Sequence, residues 1–240
     1  MKLTILYPTY FPSLIWWQKA FAADIVIILD DQPNPRLGYI NRCYIKSISG
    51  KMKMTVPVLK SETKDHIIKD QKIDNNQYWH RTHRTSIISN YSNSPYFEFY
   101  FPYLQDFFNN PWHKLIDLNL ESSKLVGKLL RKKLEFNFFS QTPTTGSREE
   151  KIINLLQRYN CRTYVIESDH QNYFDDKKLV EKKFFIEEIQ PVGITYDQQF
   201  GDFISGLSIL DLLFNEGPYA VQILKRSKAA SETSNMKSEK

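Results

Sequence analysis

The sequence predicts an α/β protein, and three observations carry that prediction. Leu3 to Leu6 is short and β-prone, Ser13 to Ala22 is long enough for about three helical turns, and Ile25 to Leu29 is an unbroken Ile/Val/Leu run. A continuous apolar run of that length suits a strand buried on both faces, as strands of parallel sheets are. Strand, helix and strand in this order make a β–loop–α–β unit. Further on, a helical pattern precedes CRTYVIES, and FFIEEIQPV supplies one more strand. We therefore expect a mostly parallel, Rossmann-like sheet with flanking helices, to which residues 39–58 add a β-hairpin.

The first connection, YPTYFP, contains Pro8 and Pro12, which both lack the N–H a ladder needs and hold φ near a turn value. It must be a loop. The loop leaving the first strand of such a unit sits at the carboxyl edge of the sheet, where open α/β folds gather ligands. Tyr7, Tyr10 and Phe11 would then form an aromatic rim, with Asp30 and Asp31, which leave the next strand, on the same edge. The alternative is that these aromatics pack the loop onto the domain.

Two β-prone runs follow, Tyr39 to Lys46 and Met52 to Val58, joined at SISGK. Asn41 and Arg42 open the first. Arg42 offers a planar fork for a phosphate or carboxylate, or is a solvated surface charge. Trp79, His83, Ile87 and Tyr91 recur every four residues, which predicts an amphipathic helix with His83 on its apolar stripe. A histidine there is more often a hydrogen-bonded core residue than a catalyst. His80 and Ser86 lie three residues to either side and could share a polar notch with it. Two histidines at this spacing can bind a metal, but no third ligand accompanies them, so no metal is expected.

Residues 107–135 show helical periodicity through Leu115, Leu118, Leu125, Leu129 and Leu130 and read as structural. SQTPTTG is a loop, and Ser147 with Glu150 forms a capping box for a helix carrying Ile152, Ile153 and Leu156. In FGDFISGLSILDLLFNEGP, Leu207, Leu210, Leu213 and Phe214 make a stripe, Ser208 and Asp211 share a face with Asn215 a further turn along, and Gly217–Pro218 is a stop signal. The plain reading is a surface helix ending in a Gly–Pro turn.

The 240 residues are expected to form one domain over 1–225, followed by a disordered polar tail at 226–240. A net charge of +5 suggests an anionic partner, but the lysines are scattered and several lie in the tail, so nucleic acid is not expected. Cys43 and Cys161 are too few for a disulfide framework or a thiolate metal site. Tyr7, Pro8 and Pro12 spoil any secretion signal at the start, and no run approaches bilayer-spanning length, so a cytoplasmic protein without a membrane span is expected. No cofactor is evident.

YPTYFP with its following helix and strand, YINRCYI before TVPV, WHRTHRTSIISNYSNSPYF and FISGLSILDLLFNEGP together resemble the WbqC-like family of bacterial proteins, in the family's order and over nearly the whole chain. The resemblance implies association with surface-polysaccharide or O-antigen clusters and a part in building or decorating sugars. Many relatives carry glutamine directly before the first proline, where this chain has Tyr7, so a role for that amide does not transfer. The stretch PTYFPSLIWWQKAFAADIVIILDDQPN is also similar to the entry of pantothenate synthetases and related nucleotidylyltransferases. Those enzymes place paired histidines where this chain has Ser13, Leu14, Ile15 and Trp16, so that similarity concerns architecture.

The leading expectation is a transferase acting on an activated sugar or nucleotide sugar, with acyl or aminoacyl transfer from a carrier to an amino sugar as one form. His83 would be the base, since imidazole titrates near neutral pH. Arg42 would hold a diphosphate or carboxylate, Asp31 and Asn41 would orient hydroxyls, and Tyr7, Tyr10 and Trp79 would stack on the sugar, with His80 and Ser86 beside them. The alternatives are a non-catalytic sugar-binding or assembly protein, and a nucleotide-binding transferase of the nucleotidylyltransferase-like class.

Overall fold

The computed structural model describes residues 1–33, 40–60, 67–142, 146–168, 177–190 and 194–225. The predicted tail and the acidic, aromatic stretch at 169–176 lie outside these residues. In chain order the first elements are β1 (Lys2–Leu6), α1 (Leu14–Ala22), β2 (Ile25–Ile28), β3 (Arg42–Ser47) and β4 (Gly50–Thr55). Helices α2 (Trp79–Tyr91), α3 (Phe97–Asn109) and α4 (Leu115–Leu129) follow, then β5 (Phe136–Phe138), α5 (Arg148–Arg158) and β6 (Thr163–Glu167). The last are α6 (Lys177–Glu181), β7 (Phe185–Ile189) and α7 (Ile209–Glu216).

The predicted α/β class holds. Five strands form a wholly parallel sheet in the order β5-β2-β1-β6-β7, and β3 and β4 pair separately as an antiparallel hairpin. Strand alternation divides the core between two layers. Leu3 and Ile27 point to α5, where they meet Ile152, Leu156 and Tyr164. Leu6, Val26 and Ile28 point the other way, into a larger cluster with Trp17 of α1, Ile87 and Tyr91 of α2, and Leu210 and Phe214 of α7. The Ser147 capping box is present, with Ser147 Oγ accepting from the Glu150 N–H.

Several boundaries differ from the expectation. The hairpin strands occupy Arg42–Ser47 and Gly50–Thr55, because Gly50, at φ 100°, turns the chain earlier than the apolar pattern suggests. The periodic region 107–135 is not one helix: α3 stops at Asn109 because Pro111 disfavours helical backbone at Asn110. At the other end α4 closes in a left-handed turn, with Arg131 at φ 55° and the Lys132 N–H on the Gly127 carbonyl at 2.8 Å. The three-residue β5 is too short for sequence periodicity to register. Helix α7 is no surface helix, since Ile209 to Asn215 are all buried.

Gly217–Pro218 ends α7 as expected, and it also acts as a joint to the turn that follows. A 3-10 turn at Gly217–Tyr219 follows α7, and residues 220–225 are helical again. Proline suits that position because the first N–H of a helix has no internal acceptor. Gly217 has φ 52°, and a Cβ there would stand 2.4 Å from the Tyr96 ring. Both constraints act on one residue, so Gly217→Ala is expected to destabilise the fold by about 2 kcal/mol, read as a lowered urea midpoint; an unchanged midpoint would show that the joint can open.

Candidate functional site

The YPTYFP loop is buried against three neighbours. Tyr10 and Phe11 are fully buried, so of the expected aromatic rim only Tyr7, 41 % exposed, faces outward. The correction has a physical cause: a bent, proline-fixed loop places both rings over the core cluster, where their area is worth more than at a rim. The Asn119 side-chain amide, on α4, donates to the Pro8 and Ile40 carbonyls at 2.9 and 2.7 Å. The Ile209 N–H, at the start of α7, donates to the Pro12 carbonyl at 2.9 Å.

Tyr10 meets His83 there, hydroxyl to Nδ1 at 3.0 Å, with Trp79 alongside at 5.4 Å from the His83 ring. Burial raises the Tyr10 pKa, so the hydroxyl keeps its proton and donates to the imidazole. Burial also lowers the His83 pKa to about 4, a hydrogen bond with the Thr55 backbone opposing this and the charge of His80 adding to it. The ring is therefore neutral at pH 7. With Nδ1 occupied and the ring buried, His83 ties α2 to the loop and to β4.

Of the other predicted residues, Asn41 donates to the Val56 carbonyl at 2.9 Å, and Arg42 is half-buried opposite Thr55. Ser86 is half-buried one turn beyond His83. Tyr7 and Asp31 leave β1 and β2 at the carboxyl edge, where Asp31 accepts from the Gln32 amide at 2.8 Å. The structure thus joins Tyr10, Trp79 and His83 in one buried cluster and keeps Tyr7 and Asp31 apart from it.

Trp79 and His80 also border an open cleft of about 320 Å³, together with Trp112, Phe108, Asn75 and Asn109. The turn between α3 and α4, Asn109 to Trp112, closes one wall. Both indole N–H groups are engaged, Trp79 on the Asn75 side chain at 3.1 Å and Trp112 on the Phe107 carbonyl at 2.9 Å. Asn75 in turn donates to the Trp112 carbonyl at 2.8 Å, bracing the two walls together. Sequence reasoning missed Trp112 because it lay within a stretch read as helical; the signal was Asn-Asn-Pro-Trp, a turn carrying a large aromatic. A second cleft of about 350 Å³ at the carboxyl edge contains Asp30, Lys69, Lys114, Asp117 and Ser140, with Asp30 bonded to the Ser140 N–H at 2.9 Å and hydroxyl at 2.6 Å. Among the described residues no group of three or more His, Cys, Asp or Glu is placed to hold a metal ion.

The depressed His83 pKa links the cluster to stability. The folded state resists a proton that the unfolded chain accepts near pH 6.5, so this contribution is complete above that pH and is lost as pH falls towards about 4. The shift corresponds to roughly 3 kcal/mol. Urea midpoints should decline across this window in the wild type and decline less steeply in His83→Gln; parallel pH profiles would show that His83 is not desolvated.

Residues 7–223 match the WbqC-like protein family. The chain is 26 % identical over 230 residues to the uncharacterized protein Rv1507c of Mycobacterium tuberculosis, an alignment covering 93 % of this chain and 97 % of that one. No solved structure matches. Among the described residues no helix is long and apolar enough to cross a membrane. The four segments in which the resemblance resides are those that meet at the YPTYFP loop, Ile40 and His83 on Tyr10 and Ile209 on Pro12, and with a match spanning nearly the full chain this protein belongs to the WbqC-like family.

Proposed function

We propose that this protein recognises a carbohydrate in the cleft between Trp79, His80 and Trp112, in the polysaccharide-related role that WbqC-like membership suggests. The observation that carries the reading is the lining itself. The half-buried Trp112 indole offers an apolar face to sugar C–H groups and Trp79, 4 % exposed, backs the cleft from the core, while Asn75 and Asn109 supply donors and acceptors for hydroxyls. A cleft without a carboxylate or a lysine suits a neutral pyranose better than a free anion.

The finer reading is that the protein modifies the sugar it holds, by acyl or aminoacyl transfer to an amino sugar. His80 is better placed than His83 to take a proton from the acceptor, because His80 lines the cleft whereas His83 is buried with Nδ1 engaged. The nucleotide-sugar and acyl-carrier partners belong to this reading.

A thermal-shift screen against neutral oligosaccharides and nucleotide sugars tests binding, since a ligand of the native state raises apparent stability. At least one sugar is expected to shift the midpoint, and Trp112→Ala to weaken its affinity about tenfold. Silence across the panel, or shifts that survive Trp112→Ala, would overturn the assignment of the cleft. For the transferase reading, His80→Asn should abolish turnover while affinity changes by no more than about twofold; full turnover in His80→Asn would remove His80 from the chemistry.

A further inference from the structure

The β3–β4 hairpin carries a charged face and an exposed tip that the cleft does not use. Opposed residues of an antiparallel pair share a face, and here Arg42 opposes Thr55, Tyr44 opposes Lys53 and Lys46 opposes Lys51. The other face places Cys43, Ile45 and Met54 in the core. Four of the six positions on the first face are Arg or Lys and none is Asp or Glu; Lys51, Lys53 and Thr55 are exposed, Arg42 and Tyr44 half-buried, and Lys46 buried.

Lys51 and Lys53 are exposed, and no ion pair joins either to a carboxylate among the described residues. Lys51 is ordered in place, its Nζ 4.6 Å above the Tyr44 ring and 3.5 Å from the Ser205 carbonyl. Lys46, 1 % exposed, lies beneath with its ammonium on the Asp202 carbonyl at 2.5 Å. These bonds bring residues 202–205 alongside the hairpin tip. Between two serines at the tip, Ile48 is 81 % exposed, and Phe203 on the neighbouring segment is 36 % exposed.

We propose that this hairpin docks the protein on an anionic lipid surface, with Ile48 entering the headgroup boundary and Lys51 and Lys53 lying against phosphates. The charge of the face matches such a surface, and each exposed lysine adds attraction that salt screens. Successive positions on one face recur about every 7 Å, so Lys51 lies nearest a surface touched by the tip and Lys53 about 7 Å behind it, within a Debye length of Lys51. An acidic glycan or a nucleic acid would also satisfy the lysines, but neither uses an isoleucine held out in water. The Arg42–Thr55 end of the face adjoins His83, one turn of α2 from His80, so docking at the tip leaves the cleft end of the molecule away from the lipid.

Co-sedimentation of the full chain with vesicles tests this independently of sugar binding. We expect retention on vesicles of phosphatidylglycerol in phosphatidylcholine, none on phosphatidylcholine alone, and release by salt. The double variant Lys51→Gln/Lys53→Gln should bind about tenfold more weakly, and Ile48→Ser about threefold more weakly. All three side chains are exposed and none lines the cleft, so the sugar affinity should stay at the wild-type value, and the urea midpoint should fall only by the loss of the Lys51 contacts with Tyr44 and Ser205. Absence of vesicle binding overturns the proposal. So does binding that Ile48→Ser leaves unchanged while polygalacturonate or RNA competes for the same lysines, which would assign the face to a soluble polyanion.

Discussion

A buried loop must find a partner for every backbone polar group it takes out of water, and YPTYFP is such a loop. Its two prolines donate nothing, so the segment cannot satisfy its carbonyls by pairing with itself. The partners come from three distant parts of the chain. The Asn119 amide of α4 serves Pro8 and Ile40, the Ile209 N–H of α7 serves Pro12, and the Tyr10 N–H finds the Ile40 carbonyl at 3.2 Å. The Phe11 N–H reaches Ser122 Oγ at 3.3 Å, with Phe11 itself held at φ 39°. That left-handed backbone on an aromatic residue is tolerated where its surroundings over-determine it.

The same logic organises the polar groups further inside. Asp211 is buried in α7, and burial raises its pKa, while hydroxyls of Tyr196 and Tyr91, both at 2.7 Å, and the nearby Lys46 act in the other direction. Tyr91 also accepts the Lys46 backbone N–H at 2.9 Å, which ties α2 to β3. Network members of this kind are costly to leave half-satisfied, so they define one arrangement of the hairpin, α2 and α7. His83 belongs to this class. Its neutrality and its bond to Tyr10 make it part of the frame on which the surface sites are mounted.

Ligand-facing chemistry then lies outside the frame. The cleft is built where α3 and α4 are joined by a proline-containing turn, and where α2 begins, so its two tryptophans come from separate helical connections braced by Asn75. The carboxyl edge of the sheet, the habitual site in open α/β folds, holds a mixed-charge cleft in which Asp30 is committed to the 3-10 turn after β5 through Ser140. The hairpin lies apart from that sheet, and its exposed charge is carried by Lys51 and Lys53.

The order and type of most elements were legible from local pattern alone. Ile25 to Leu29 announced a buried parallel strand, the spacing of Trp79, His83, Ile87 and Tyr91 announced the buried stripe of α2, and Ser147 with Glu150 announced the start of α5. These signals are local because periodicity and capping depend on residues within one or two turns. The strand order, the burial of α7 and the pairing of Tyr10 with His83 were decided only by tertiary structure, since each depends on which distant segment supplies a partner. The same holds for the candidate site: Trp79 and His80 were visible as residues, but a cleft exists only because Trp112, 33 positions after Trp79 in the chain, is turned towards them.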